Sequence, residues 1–223
     1  MELQKETQLH GKWYHDACGT AFALELIGER WSLLIVRELM LGPRRFSDIR
    51  ASLPGISAKV LTERLTGLEE TGVLRKVNLP PPAAVQVYEL TEWGYQAEPL
   101  MQELGRWAAA SPLHNPTLPM SAVSMMLSLR TMFDPAKAQD FEARIGFDIA
   151  GDTFVATMSK GELPIARAPI EACDFTFSAP DAAVLVALVY GKVEPVELEK
   201  SAGLTISGDR QRALEFVALF ELP

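Results

Sequence analysis

Cysteine and histidine are scarce in this chain of 223 residues. Two cysteines, Cys18 and Cys173, stand far apart, and three histidines, His10, His15 and His114, are scattered. A disulfide framework is therefore excluded, and so are the paired Cys and His spacings of a structural or catalytic zinc site. Long apolar runs are also lacking. The longest, Ala182 to Tyr190, falls well short of the ~20 residues a membrane span needs. The N-terminal MELQKETQLH is polar and has no signal-peptide core. Positive charge is not in excess either, since the net charge is −8. That rules out a uniformly basic coat and leaves the distribution of charge as the informative quantity. We expect a cytoplasmic protein with no metal, no cofactor and no membrane partner.

What is present begins with charge. Residues 44–76 hold seven basic residues (Arg44, Arg45, Arg50, Lys59, Arg64, Arg75, Lys76) against four acidic ones (Asp48, Glu63, Glu69, Glu70). Within this island lies FSDIRASLPGISAKVLTERLTGLEETG, from Phe46 to Gly72. It reads as two short helices joined by Leu53-Pro54-Gly55-Ile56, because Pro presets φ and Gly accepts positive φ. Ser57 is the expected N-cap of the second helix, over 57–71. Leu61, Leu65 and Leu68 form an apolar stripe at helical spacing, while Lys59, Thr62, Glu63 and Thr66 form a separate polar stripe. A packed side, a polar and cationic side, and a tight turn before them are what a major-groove reader needs.

The flanks follow the same logic. Cys18–Ile27 and Trp31–Leu41 read as helices, the second stopped by Gly42-Pro43. Segments 73–79 and 84–90 read as strands on either side of Pro80-Pro81-Pro82-Ala83, so they predict a wing. Thr91–Ala110 reads as a long helix disturbed near Glu98 by Pro99, with Leu100, Leu104 and Trp107 as an apolar stripe for dimerisation or for packing on the second domain. The expected DNA-facing set is Arg44, Arg45, Ser57, Lys59, Thr62, Glu63, Arg64, Arg75 and Lys76. Lys59 and Thr62 are assigned to bases, and Arg44, Arg45 and Arg64 to phosphates.

This order of elements, with ALELIGERWSLLIVRELMLGPRRFSDIRASLPGISAKVLTERLTGLEETGVLRK and YELTEWG, resembles the HxlR-type winged-helix transcriptional regulators over about residues 12–110. The resemblance implies a homodimer bound to double-stranded operator DNA through the recognition helix and the wing. Some members of that family use a cysteine near the position of Cys18 to sense oxidants or quinones. Here Gly19 stands where the family often has Pro. Such chemistry needs an accessible thiolate in electropositive surroundings. With Asp16 nearby and an apolar segment following, we expect Cys18 to be a buried helix-start residue.

Residues 111–119, SPLHNPTLP, read as a linker, separating domains at 1–110 and 120–223. After it come a Met-rich helix (Met120–Met132), four strands (Phe141–Ile149, Thr153–Ser159, Leu163–Ala168, Cys173–Ser178), an apolar helix from Pro180 to Tyr190, a short helix, a strand and a final helix. The fold class is α+β, a winged helix-turn-helix followed by an antiparallel sheet covered by helices. The phrases CDFTFSAPDAAVLVALVYGKVEP and EKSAGLTISGDRQRALEF resemble sterol-carrier-protein-like domains over about 121–221. That resemblance implies a cavity for an apolar small-molecule effector. The candidate lining is Met125, Met126, Leu129, Met132, Phe133, Phe154, Phe175 and Phe177, residues that would equally form the core of the domain. No catalytic constellation stands out, so an enzyme is not expected. Two alternatives accompany the regulator: redox sensing through Cys18, and a lipid carrier whose winged helix serves protein contacts.

Overall fold

The computed structural model describes residues 14–80, 84–138 and 141–222. Residues 81–83, at the tip of the expected wing, lie outside them. The chain divides into two compact units. The first combines residues up to Leu39 with Pro43–Gln96, and the second combines Met40–Gly42 with Ala97 onward. Among the described residues, no helix is long and apolar enough to cross a membrane.

The first unit contains α1 (Gly19–Ile27), α2 (Ser32–Leu39), α3 (Phe46–Ser52), α4 (Ala58–Glu70), β1 (Leu74–Asn78), β2 (Gln86–Leu90) and α5 (Glu92–Tyr95). Its core is Ile35, Val36 and Leu39 of α2, Ile49 of α3, and Leu61, Leu65 and Leu68 of α4, closed by Val73, Leu74, Val87 and Leu90. The three α4 leucines are at most 1% exposed, and burying each is worth about 2 kcal/mol. The turn between α3 and α4 holds Gly55 at φ +94, where a side chain would be strained. Ser57 then accepts the Val60 amide at 3.2 Å and caps α4.

The wing strands pair antiparallel, with Arg75 opposite Glu89 and Lys76 opposite Tyr88. Thr91 caps α5 by accepting the Gly94 amide at 3.1 Å. Gly94 is required there, since a Cβ on it would meet the Val73 carbonyl oxygen at 2.1 Å. The long helix expected over 91–110 is two helices. α5 ends at Tyr95 and α6 runs Glu98–Ala109, with Pro99 in its first turn. The missing proline N–H costs nothing in that position.

The second unit holds α6, α7 (Ala122–Met132), α8 (Ala182–Val189), α9 (Pro195–Ser201), α10 (Arg210–Ala218) and strands β3 (Ala143–Ile149), β4 (Asp152–Met158), β5 (Ile165–Arg167), β6 (Phe175–Ala179) and β7 (Thr205–Gly208). The sheet order is β5-β4-β3-β6-β7. It departs from the expected antiparallel sheet at its centre, where β3 and β6 run parallel. Residues 168–174 carry the chain across one face to reach the free edge of β3. Ile170 packs there over Gly146, where a Cβ would come within 2.8 Å of its methyl. Side chains on the other face alternate inward and meet α8 and α10, which pack on β6. Asp181 and Asp209 cap α8 and α10 through the Val184 and Arg212 amides.

Candidate functional site

α4 presents two faces. Leu61, Leu65 and Leu68 point into the core, while Lys59, Thr62, Glu63 and Thr66 are exposed. Lys59 is 86% exposed and lies 3.9 Å from Glu63, one turn on. A contact of that length between solvated groups is worth little, so both remain available to a partner. The Thr62 hydroxyl donates to the Ala58 carbonyl at 2.9 Å, which orients its methyl and oxygen along the helix surface. Ser57 is exposed but its hydroxyl is committed to the cap. The outward stripe therefore offers a cation, two short hydroxyl side chains and a carboxylate on one surface.

The cations expected at phosphates divide by environment. Arg45, immediately before α3, is exposed, and so is Arg50 on α3, which the expected set omitted. Arg44 is a correction. It is 8% exposed and its Nη1 lies 3.6 Å from Oε2 of the fully buried Glu38. A side chain held inside and facing a carboxylate is poorly placed to meet a phosphate. Arg64 reaches sideways, donating to the Arg30 carbonyl at 3.2 Å and pairing with Glu29 at 2.9 Å. On the wing, Arg75 pairs with Glu89 across the strands at 2.9 Å, and Lys76 pairs with Glu69 of α4 at 2.6 Å. The Glu69 hydrogen bond raises the Lys76 pKa. Both wing cations are solvent-facing with a carboxylate alongside, so their net field is weaker than the sequence count suggests.

Cys18 also departs from expectation. It is exposed, not buried, at the N-terminus of α1. The Ala21 and Thr20 amides, then the Thr20 hydroxyl, lower its thiol pKa. Asp16 is occupied by accepting the Cys18 amide at 2.9 Å.

The eight residues expected to line an apolar cavity occupy the interior of the second unit. Met125, Met126, Leu129, Phe154, Phe175 and Phe177 are at most 2% exposed, while Met132 and Phe133 are half-buried. Phe177 stacks on Phe147 with centroids 5.6 Å apart, and Phe216 meets Phe147, Phe175 and Phe177 at 6.1–6.2 Å. These rings are in mutual contact between the sheet and α10. Sequence pattern cannot separate a filled interior from a lined one, because both demand the same apolar residues.

α6 carries a polar face against α7. Glu98 pairs with Arg130 at 2.8 Å, and Arg106 donates to the Thr131 carbonyl at 3.1 Å. Burial raises the Glu98 pKa against the opposing effect of Arg130. Its other face carries Leu100, Leu104 and Trp107, which are 45%, 41% and 79% exposed. The usual arrangement of an amphipathic helix is thus inverted.

Residues 26–114 match the HxlR-like helix-turn-helix family, and residues 128–221 match the SCP-2 sterol transfer family. The uncharacterized HTH-type transcriptional regulator YvaP of Bacillus subtilis (strain 168) is 40% identical over 86 residues, 39% of this chain and 80% of the relative. The HTH-type transcriptional regulator YodB of the same organism is 41% identical over 86 residues, 39% of this chain and 77% of the relative. Among solved structures, the reduced form of YodB from B. subtilis is 36% identical, covering 44% of this chain and 97% of that one, with a TM-score of 0.40. This chain belongs to the HxlR-like helix-turn-helix family of bacterial transcriptional regulators and carries an SCP-2 sterol transfer family domain in its C-terminal half.

Proposed function

We propose that this chain binds operator DNA as a homodimer, with α4 in the major groove and an apolar ligand of the C-terminal domain setting its affinity. The observation that carries the reading is the division of α4. Its leucine face is locked in the core, while Lys59, Thr62, Glu63 and Thr66 stand in solvent behind a capped N-terminus. Lys59 and Thr62 take base edges, and Arg45, with Arg50 on α3, takes phosphates. Arg64, Arg75 and Lys76 contribute charge at the margins, each shared with a carboxylate.

Self-association is supported by the inverted α6 and by α1, which contains no buried residue and exposes Phe22 and Leu24. A two-fold operator calls for two α4 helices about 34 Å apart, one turn of duplex. For the ligand, the support is the SCP-2 match and the Met-rich α7, whose flexible side chains repack around variable apolar partners. Selection of duplexes from random sequence, followed by fluorescence anisotropy at several salt concentrations, tests the DNA reading. A specific complex loses affinity steeply as salt rises. A flat response, or no enriched duplex, ends it.

Cys18 favours a second mode of control, because it is exposed with its thiol pKa lowered by the amides at the start of α1. Iodoacetamide should alkylate Cys18 faster than Cys173 at neutral pH, and diamide treatment should change DNA affinity in wild type but not in Cys18→Ser. Equal affinity before and after oxidation of a demonstrably modified Cys18 removes this reading.

A further inference from the structure

Arg44 was read from sequence as a phosphate contact, and its burial leaves its role open. Its surroundings supply one. Glu38, on α2, is fully buried, and each of its carboxylate oxygens meets an arginine. Oε1 accepts from Arg37 Nε at 3.1 Å and from Nη2 at 2.9 Å, a side-on bidentate pair. Oε2 faces Arg44 Nη1 at 3.6 Å. Meanwhile the Arg44 main chain forms a two-hydrogen-bond bridge to β2. Its amide donates to the Tyr88 carbonyl at 2.9 Å, and the Tyr88 amide donates to its carbonyl at 2.8 Å. One residue thus joins α2, through its side chain, to the wing, through its backbone.

The opposite side of the wing is tied differently. Lys76 lies opposite Tyr88 in register, with its ammonium 5.9 Å from that ring. It binds Glu69 near the end of α4 through both its ammonium, at 2.6 Å, and its amide, at 3.3 Å. The wing is therefore held to the recognition helix by an exposed, salt-screened contact and to α2 by a buried one that salt does not reach.

The geometry points to Glu38 and Arg44 as positioning residues that set the pitch of the wing relative to α4, so that DNA affinity depends on two charges that never meet DNA. This inference rests on the DNA-binding reading above. It makes a prediction opposite to simple electrostatics. Glu38→Gln adds one positive charge to a module that binds a polyanion, so a purely electrostatic account has it binding DNA more tightly. Loss of the clamp has it binding more weakly.

The test uses the full chain and a duplex enriched by the wild-type protein. Glu38→Gln should weaken binding by about tenfold, without changing the slope of affinity against salt. Arg45→Met, on an exposed cation, should lower that slope by about one. Hydrogen–deuterium exchange of Glu38→Gln should accelerate at the amides of Arg44 and Tyr88, while the amides of Leu65 and Leu68 keep their protection. Unchanged or tighter binding overturns the inference, as does weaker binding with unchanged exchange at Tyr88. If Glu38→Gln fails to fold, Glu38→Gln/Arg44→Met takes its place, since neither charge of the pair is then left stranded. The same outcomes apply, and a salt slope reduced by about one in this variant would make Arg44 a phosphate contact after all. If the wild-type chain enriches no duplex, it is the DNA reading that has failed, which the exchange data on Tyr88 keep separate from the existence of the clamp.

Discussion

Trp107→Ser isolates the self-association surface from everything else α6 does. In the single chain the indole is 79% exposed and lies on the face opposite Glu98 and Arg106, which hold α6 against α7. Removing it should leave the stability of the folded chain within about 0.5 kcal/mol, the usual range for a surface substitution. In a two-fold contact the same ring would become buried. An aromatic side chain buries roughly 150–200 Å² in such a setting, worth about 4 kcal/mol at ~25 cal/mol/Å². Symmetry doubles the loss and imperfect burial reduces it, so a net weakening of about 4 kcal/mol is expected, near a thousandfold in the dimer dissociation constant. Sedimentation velocity over a concentration series reads that shift, and a thermal melt of the monomeric fraction checks that the fold is intact. If the variant sediments as wild type at every concentration, the inverted face of α6 is not the association surface. If the melt drops by several degrees with association unchanged, Trp107 is supporting its own domain instead.

Four further outcomes are expected. Lys59→Ala should cost about 1–3 kcal/mol on a selected duplex and much less on random DNA, measured by anisotropy competition. Leu65→Ala, at a site 1% exposed, should lower the unfolding free energy by about 2–5 kcal/mol in urea titration. Ser57→Ala should cost about 1 kcal/mol in the same assay through loss of the α4 cap. Burial pushes the Tyr190 pKa up to about 12, against the opposing Ser128 hydrogen bond. The unfolded chain releases that proton nearer pH 10, so the stabilisation is complete below pH 10 and is lost as pH rises toward 12. Tyr190→Phe should remove this alkaline component, and an unchanged pH profile would refute its assignment to Tyr190.

Sequence alone determined the local architecture of this protein. Caps and turns act within a few residues, so Ser57 marked the start of α4, and Pro54-Gly55 marked the bend between α3 and α4. The leucine stripe of α4 was equally legible, because a 3.6-residue period is a property of one helix. Tertiary structure decided what depends on partners distant in the chain or in space. Arg44 has the same composition signal as Arg45, yet a buried carboxylate on α2 draws one inward and leaves the other in solvent. Only the fold showed Ile170 crossing over Gly146 and β6 joining β3 in parallel. Cys18 was judged by the apolar residues that follow it, whereas its exposure and lowered pKa come from how α1 begins. The apolar pattern around the C-terminal phenylalanines is the same for a packed core and a lined cavity, and only the fold shows which rings meet. Charge pairing, exposure and packing are pairwise quantities set in three dimensions, and a one-dimensional pattern records only the residues that make them possible.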